Sequence, residues 1–169
     1  MAAIARVRLC GRQTLTGIAW WTRTLKHLPA ALLAIAAFPA LAAAPEPWEA
    51  VSTTALAITG NVRVSPDRIT FQNGKSLPLA AAGIVPQFRD AMGTTSAALY
   101  RVIAPADPVL LRGNRLCGKP VTFIAVWKPA RVGSDIDPRE MAAFSGSARP
   151  TVAGGPDFCG TYTYEAGRR

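Results

Sequence analysis

Nucleophilic and metal chemistry in proteins draws first on histidine, cysteine and clustered carboxylates. The chain has 169 residues and one histidine, His27, which falls in a basic N-terminal leader. The chain beyond the leader has no histidine, which excludes Ser-His-Asp and Cys-His nucleophile systems and His-liganded zinc, copper or haem. Of the three cysteines, Cys10 belongs to the leader and Cys117 and Cys159 remain, each followed directly by glycine. A Cys117–Cys159 disulfide leaves no thiolate for catalysis or for a metal. We expect no catalytic residue, no metal site and no cofactor.

Carboxylates are the remaining route to catalysis. Asp135, Asp137 and Glu140 stand close together, and an Asp-x-Asp can bind calcium or supply a general acid and base. Calcium takes roughly six to eight oxygens from a loop of defined spacing, and no glycine-spaced ligand pattern accompanies these residues. Asp137-Pro-Arg-Glu140 reads instead as a helix start: an N-cap residue, proline at the first helical position, a carboxylate three residues on. Met141–Phe144 is compatible with that helix or with a strand. The other acids are dispersed, so spacing does not pair them into a glycosidase couple. Neither Gly-x-Ser-x-Gly nor Ser-x-x-Lys is present.

Gly113-Asn-Arg-Leu-Cys-Gly118-Lys119 fits the first seven places of a phosphate loop. The eighth should be Ser or Thr to hold magnesium and is Pro120, and the next residues read as a strand where a helix is needed. A hairpin turn at Gly113-Asn114 accounts for the stretch. Candidate binding residues are the aromatics Trp48, Tyr100, Trp127, Tyr162 and Tyr164, whose rings offer apolar area with a polar handle. Equally, they are ordinary residues of a β core.

The N-terminus reads as a secretory signal peptide over 1–42. Arg6, Arg8, Arg12, Arg23 and Lys26 precede the apolar run Leu28–Ala42, which ends in the small-x-small motif Ala40-Leu41-Ala42. Cleavage after Ala44 also fits but would leave Pro45 just past the scissile bond. The run is shorter than the roughly 20 residues of a spanning helix and contains Pro29 and Pro39. Contact with a membrane is expected only through this leader, during export. Removing it changes the electrostatics. The whole chain carries +9, but five of its 19 basic residues and none of its 10 acids lie in the leader, so 14 remain against 10. Those charges are scattered, without the clustered basic face of a nucleic-acid binder.

Residues 43–169 are expected to form a single β domain. An oxidising compartment, periplasmic or extracellular, makes the disulfide the default state of two cysteines. Closing a loop of about forty residues, it contributes at most roughly 4 kcal/mol.

The elements that must position these residues are short. Trp48–Ile58 is rich in Val, Thr and Ala and ends at the turn Gly60-Asn61. Val62–Val64, Arg68–Phe71 and Ser76–Leu79 come next, separated by Ser65-Pro-Asp67 and by Asn73-Gly74, which predicts a type I′ turn. Ala80–Ser96 is the least regular part, a loop or a turn or two of helix over Val85–Met92. Ala97–Ile103 predicts a strand with Tyr100 and Val102 on one face and Leu99, Arg101 and Ile103 on the other. After a break at Pro105–Pro108, Val109–Leu111 resumes it. Arg115–Trp127 and Asp157–Tyr164 predict the two strands that the disulfide joins. Val121–Trp127 is apolar on both faces, as in a strand covered on both sides. In the last strand Tyr162 and Tyr164 share a face and Cys159 takes the other.

About seven or eight short strands, one disulfide and at most one or two short helices predict an all-β fold, a small antiparallel barrel or sandwich. In strand count and cysteine placement alone the chain resembles small secreted bacterial β-barrel domains, among them periplasmic lysozyme-inhibitor and lipocalin-like proteins. Fold-level likeness assigns no function. The expectation is a non-enzymatic, monomeric binding module for a protein partner or a small apolar ligand. A structural envelope component and a carboxylate-only glycan hydrolase are the alternatives.

Overall fold

The structure is a computed structural model that describes residues 44–129 and 137–167. The leader, Asp135 and the junction at Ala42 lie outside the described residues. Eight strands, β1 (Glu46–Ala50), β2 (Val62–Ser65), β3 (Arg68–Phe71), β4 (Ser76–Asp90), β5 (Gly93–Ala106), β6 (Val121–Trp127), β7 (Pro138–Phe144) and β8 (Phe158–Ala166), close into an antiparallel barrel in chain order. The ring is completed where Trp48, Glu49 and Ala50 pair with Ala166, Glu165 and Tyr164. Among the described residues one helix, α1 (Thr53–Ile58), and one 3-10 turn, Leu111–Gly113, are the other regular elements. The barrel is therefore the correct member of the expected barrel-or-sandwich pair.

Alternation along the strands sorts the apolar residues into two cores. Inward residues fill the barrel, among them Ile69, Leu77, Val102, Ile124, Tyr162 and Tyr164. A second core lies outside β5–β7 and joins Leu99, Phe123 and Trp127 to Val85 and Phe88 of β4. This is why β6 is apolar on both faces. The expected division of β5 holds too: Val102 is in the barrel core, Leu99 in the outer core, and Ile103 is exposed.

The outer cover is the stretch expected to be irregular. Residues 80–96 are neither loop nor helix but most of a long β4–β5 hairpin. Register shifts between Ala81 and Ile84, and between Val85 and Phe88, re-aim β4 so that its far half packs outside the barrel. Gly83, at φ +90°, occupies the first shift. Arg149 donates to the carbonyls of Ala82 and Ile84 there (2.8 and 3.1 Å), and Trp127 Nε1 donates to Asp90 Oδ2 (2.7 Å) near the hairpin tip.

Other expectations are corrected locally. Trp48–Ile58 is split, because Ser52 caps α1 by accepting from the Ala55 amide and so ends β1. Val109–Leu111 is not a strand but leads into the 3-10 turn. Asn73 does not adopt positive φ. Gly74 alone does (φ +80°), with bonds Gly74 N to Phe71 O and Phe71 N to Lys75 O, so the turn is a bulged hairpin loop rather than type I′. Asp137–Glu140 starts no helix, since Pro138–Phe144 pairs with β6 on one side and β8 on the other. Pairing on both edges outweighs a local capping signal. Arg115–Pro120 is loop, so the disulfide joins the β5–β6 connection to β8 rather than strand to strand. In β8 a register irregularity between Phe158 and Gly160 breaks the alternation, and Cys159 packs on the same core as the tyrosines.

Candidate functional site

The inside of a small barrel is the first place to look for a ligand, and here it is taken up by side chains. Tyr164 is fully buried and Tyr162 nearly so. The Tyr162 hydroxyl donates to the Leu116 carbonyl at 3.1 Å. The Tyr164 hydroxyl lies 2.7 Å from Thr59 Oγ1, which also contacts the carbonyls of Ala55 and Gly60 at 3.1 Å each. A threonine hydroxyl has one proton, which goes to a carbonyl, so Tyr164 is the donor to Thr59. Burial pushes both phenols well above their ordinary range; for Tyr162 the nearby Asp107 charge adds to this, and for Tyr164 the bond to Thr59 partly opposes it. Both hydroxyls are committed to the chain itself.

The remaining aromatic candidates are likewise structural in placement. Trp48 is buried and its ring meets that of Tyr164 at 5.8 Å. Trp127 stacks on Phe88 at 5.0 Å in the outer core, on the other side of the sheet. Tyr100 is partly buried against the barrel core. The five candidates are thus divided between two cores and form no common surface.

Outside the barrel two adjoining depressions, of about 410 and 470 Å³, run over β1–β3 and share Arg63 and Thr70. Arg63 and Thr70 face each other across the β2–β3 ladder and point away from the core. Glu49 lines the first depression; Asp67 and Arg68 line the second. The wall is therefore of mixed sign.

One end of the barrel differs. Four connections leave the barrel there, and three of them interlock: the α1 segment, the turn Gln72–Lys75 and the β5–β6 loop 107–120. The fourth, the β7–β8 connection 145–157, brings exposed Asp157. Asn114 Nδ2 donates to the Ala57 carbonyl of α1 (3.0 Å), and Asn73 Nδ2 to the Val109 carbonyl (3.0 Å). Asp107 Oδ1 accepts from the Leu116 amide at 3.0 Å, Arg115 donates to the Asp107 carbonyl, and the Cys117–Cys159 disulfide fastens the loop to β8. At the start of this end Gly60 (φ +59°) ends α1, with its amide on the Ala55 carbonyl at 2.8 Å and Gln72 packed against its Cα. A side chain at 60 would meet both the wrong φ and Gln72.

This braced loop carries Arg112, Arg115 and Lys119, all exposed, and the neighbouring turn adds exposed Lys75. Between Pro108 and Pro120 there is no acid. Arg112 is held at φ 55°, ψ 24°, the one non-glycine residue at positive φ among the described residues. Leu56 of α1 and Val109 of the loop are exposed at the same end. In the sequence this stretch stands out only as a phosphate loop lacking its last ligand. Its signal is three basic residues within 112–119, and only folding adds Lys75 to them.

The carboxylate group expected near 135–140 is not free. Asp137 Oδ1 lies 2.5 Å from Arg139 and 2.6 Å from Lys128, and the hydrogen bond from Arg139, then that from Lys128, pull its carboxyl down to about 2. Such a group is a poor general acid near neutrality. Among the described residues no three His, Cys, Asp or Glu converge as a metal site. No family model, no curated protein and no solved structure matches the chain.

Proposed function

We propose that this protein is a non-enzymatic binding module of an oxidising compartment, periplasmic or extracellular, acting as a monomer on a protein partner through its outer surface. The observation that carries this reading is the occupied interior: the barrel is packed with its own side chains, and the hydroxyls of Tyr162 and Tyr164 bond to Leu116 and Thr59. Among the described residues only Trp48 Nε1 and Asp107 Oδ2 are buried side-chain polar atoms without a partner. A carrier of a small apolar ligand needs an apolar cavity with a few free polar groups. The disulfide supports the compartment. The closed ladder supports the monomer, since barrel closure leaves few unpaired edges for self-association. The ion pairs of Asp137 weigh against a hydrolase built on that carboxylate.

Native mass spectrometry of the protein released gently from cells tests the reading. The expected result is a chain beginning at Ala43, short by two hydrogens, with no small-molecule adduct and with a protein partner retained under mild cross-linking. A stoichiometric adduct in the mass range of a lipid or metabolite would overturn it in favour of a carrier.

A further inference from the structure

The barrel end that carries α1 and the 107–120 loop has the make-up of an interface, and its charge states what it would meet. Arg112, Lys119 and Lys75 are exposed and, among the described residues, engage no side chain in an ion pair. The wall over β1–β3 also has exposed arginines, Arg63 and Arg68, but there Glu49 and Asp67 sit among them. Arg149 is spent on the carbonyls of β4. Arg101 on β5 is likewise exposed and outside the ion pairs among the described residues, but it stands alone on its strand. At the helix end, by contrast, Arg112 and Lys119 share one loop and Lys75 lies on the turn bonded to it.

That stretch is also fixed in place. The disulfide, the Asn114–Ala57 and Asn73–Val109 bonds and the Tyr162–Leu116 bond hold the loop from four sides. Ordering entropy, a main cost of binding through a loop, is thus largely met on folding. Arg112 keeps a left-handed backbone that disfavours any residue with a side chain, and strained positions of this kind concentrate at functional sites.

We infer that this end, through Arg112, Lys119 and Lys75 together with exposed Leu56 and Val109, docks an acidic surface patch of a partner protein. Guanidinium groups pair with carboxylates in a planar, two-point geometry, which suits arginine at such a contact. A membrane is the less favoured occupant. Interfacial binding draws on exposed aromatic residues, whereas Trp48, Trp127, Tyr162 and Tyr164 are all buried and the exposed apolar side chains at this end are the aliphatic Leu56 and Val109. The inference rests on the binding-module reading and adds to it the site and the sign of the partner.

The test uses a Glu-rich peptide of fixed sequence, titrated at low and high salt against the disulfide-bonded protein and two charge-reversed variants. Arg112→Glu/Lys119→Glu alters the proposed site, and Arg63→Glu/Arg68→Glu alters the wall by the same net charge. Both pairs are exposed, and melting curves check that each variant folds. The expected result is salt-sensitive binding that falls about tenfold or more in the first variant and little in the second. Equal loss in both would reduce the effect to net charge and overturn the inference. Greater loss in the second would move the site to the wall, leaving the binding-module reading intact. No peptide binding, or tighter binding to vesicles of equal parts phosphatidylglycerol and phosphatidylcholine, would also overturn it.

Discussion

The two ends of the barrel handle charge in opposite ways. At the end where β6 leads to β7, cations and acids neutralise each other. Lys128 and Arg139 hold Asp137, and Arg139 also reaches Glu46 at 3.3 Å. At the helix end, side chains of Asn73, Asn114 and Tyr162 and a disulfide brace the backbone, while the cations are left to solvent. The first arrangement joins the β6–β7 connection and β7 to β1, although partly exposed ion pairs are individually weak. The second relies mainly on neutral groups for rigidity, with Asp107 and Arg115 as the charged exceptions, and leaves Arg112, Lys119 and Lys75 available. Separating the two tasks in this way is what a preformed electrostatic interface requires.

The disulfide gives the largest expected break in this contrast. Cys117→Ser/Cys159→Ser should cost up to about 4 kcal/mol, from the entropy of a loop whose ends are 42 residues apart. Thermal melting reads the loss. Amide exchange should locate the loosening at Leu110 and Leu116, with protection around Arg139 little changed. Uniform loss of protection would mean that the helix end has no separate bracing.

Tyr164→Phe is the next in size. It removes one buried bond to Thr59, worth about 1–2 kcal/mol. It also bears on alkaline stability. Burial raises the folded-state proton affinity of Tyr164 above its unfolded value near 10.0. The unfolded chain therefore loses this proton first, and the stabilisation present below pH 10 falls as pH rises beyond it. Melting temperatures between pH 8 and 12, for wild type and Tyr164→Phe, should show a shallower alkaline decline in the variant. Parallel declines would contradict the assignment.

Asp137→Asn should have the smallest effect, and at the other end. The carboxyl of Asp137 is held at about 2 in the folded protein, against 3.8 otherwise. Its stabilising effect is present above pH 3.8 and fades as pH falls towards 2. The variant should lose that part of the acid dependence, read as melting temperature from pH 5 to 2, while peptide binding at neutral pH stays the same. A change in binding would link the two ends and blur the contrast.

Much of this fold was legible in the residues. The turn dipeptides and alternating runs gave the strand number, and the double-sided apolarity of Val121–Trp127 announced a second layer outside the barrel. The two cysteines after residue 42 were enough to indicate the disulfide. The long β4 was not legible, because Gly83 and Pro86 are breakers on local criteria, and here the chain absorbs Gly83 in a register shift that sends Val85 and Phe88 to the outer core. The strand at Pro138–Phe144 was hidden by a capping pattern that pairing on both sides overrides. Candidate aromatics were chosen by type, and type does not separate a core tyrosine from a surface one. The cationic end was hidden for a further reason: Lys75 is distant in sequence from Arg112 and Lys119, and they share one end only once β4 and β5 have crossed the molecule and returned.

The most direct measurement is a map of amide chemical-shift changes in the isotope-labelled, disulfide-bonded protein as the Glu-rich peptide is added. The account predicts changes confined to 110–119, to Lys75 and to α1, with Tyr162, Tyr164 and the β1–β3 wall unmoved. Changes centred on Val62, Ile69, Tyr162 and Tyr164 would mean that the barrel interior receives the ligand, and would contradict the central claim that recognition is external and electrostatic.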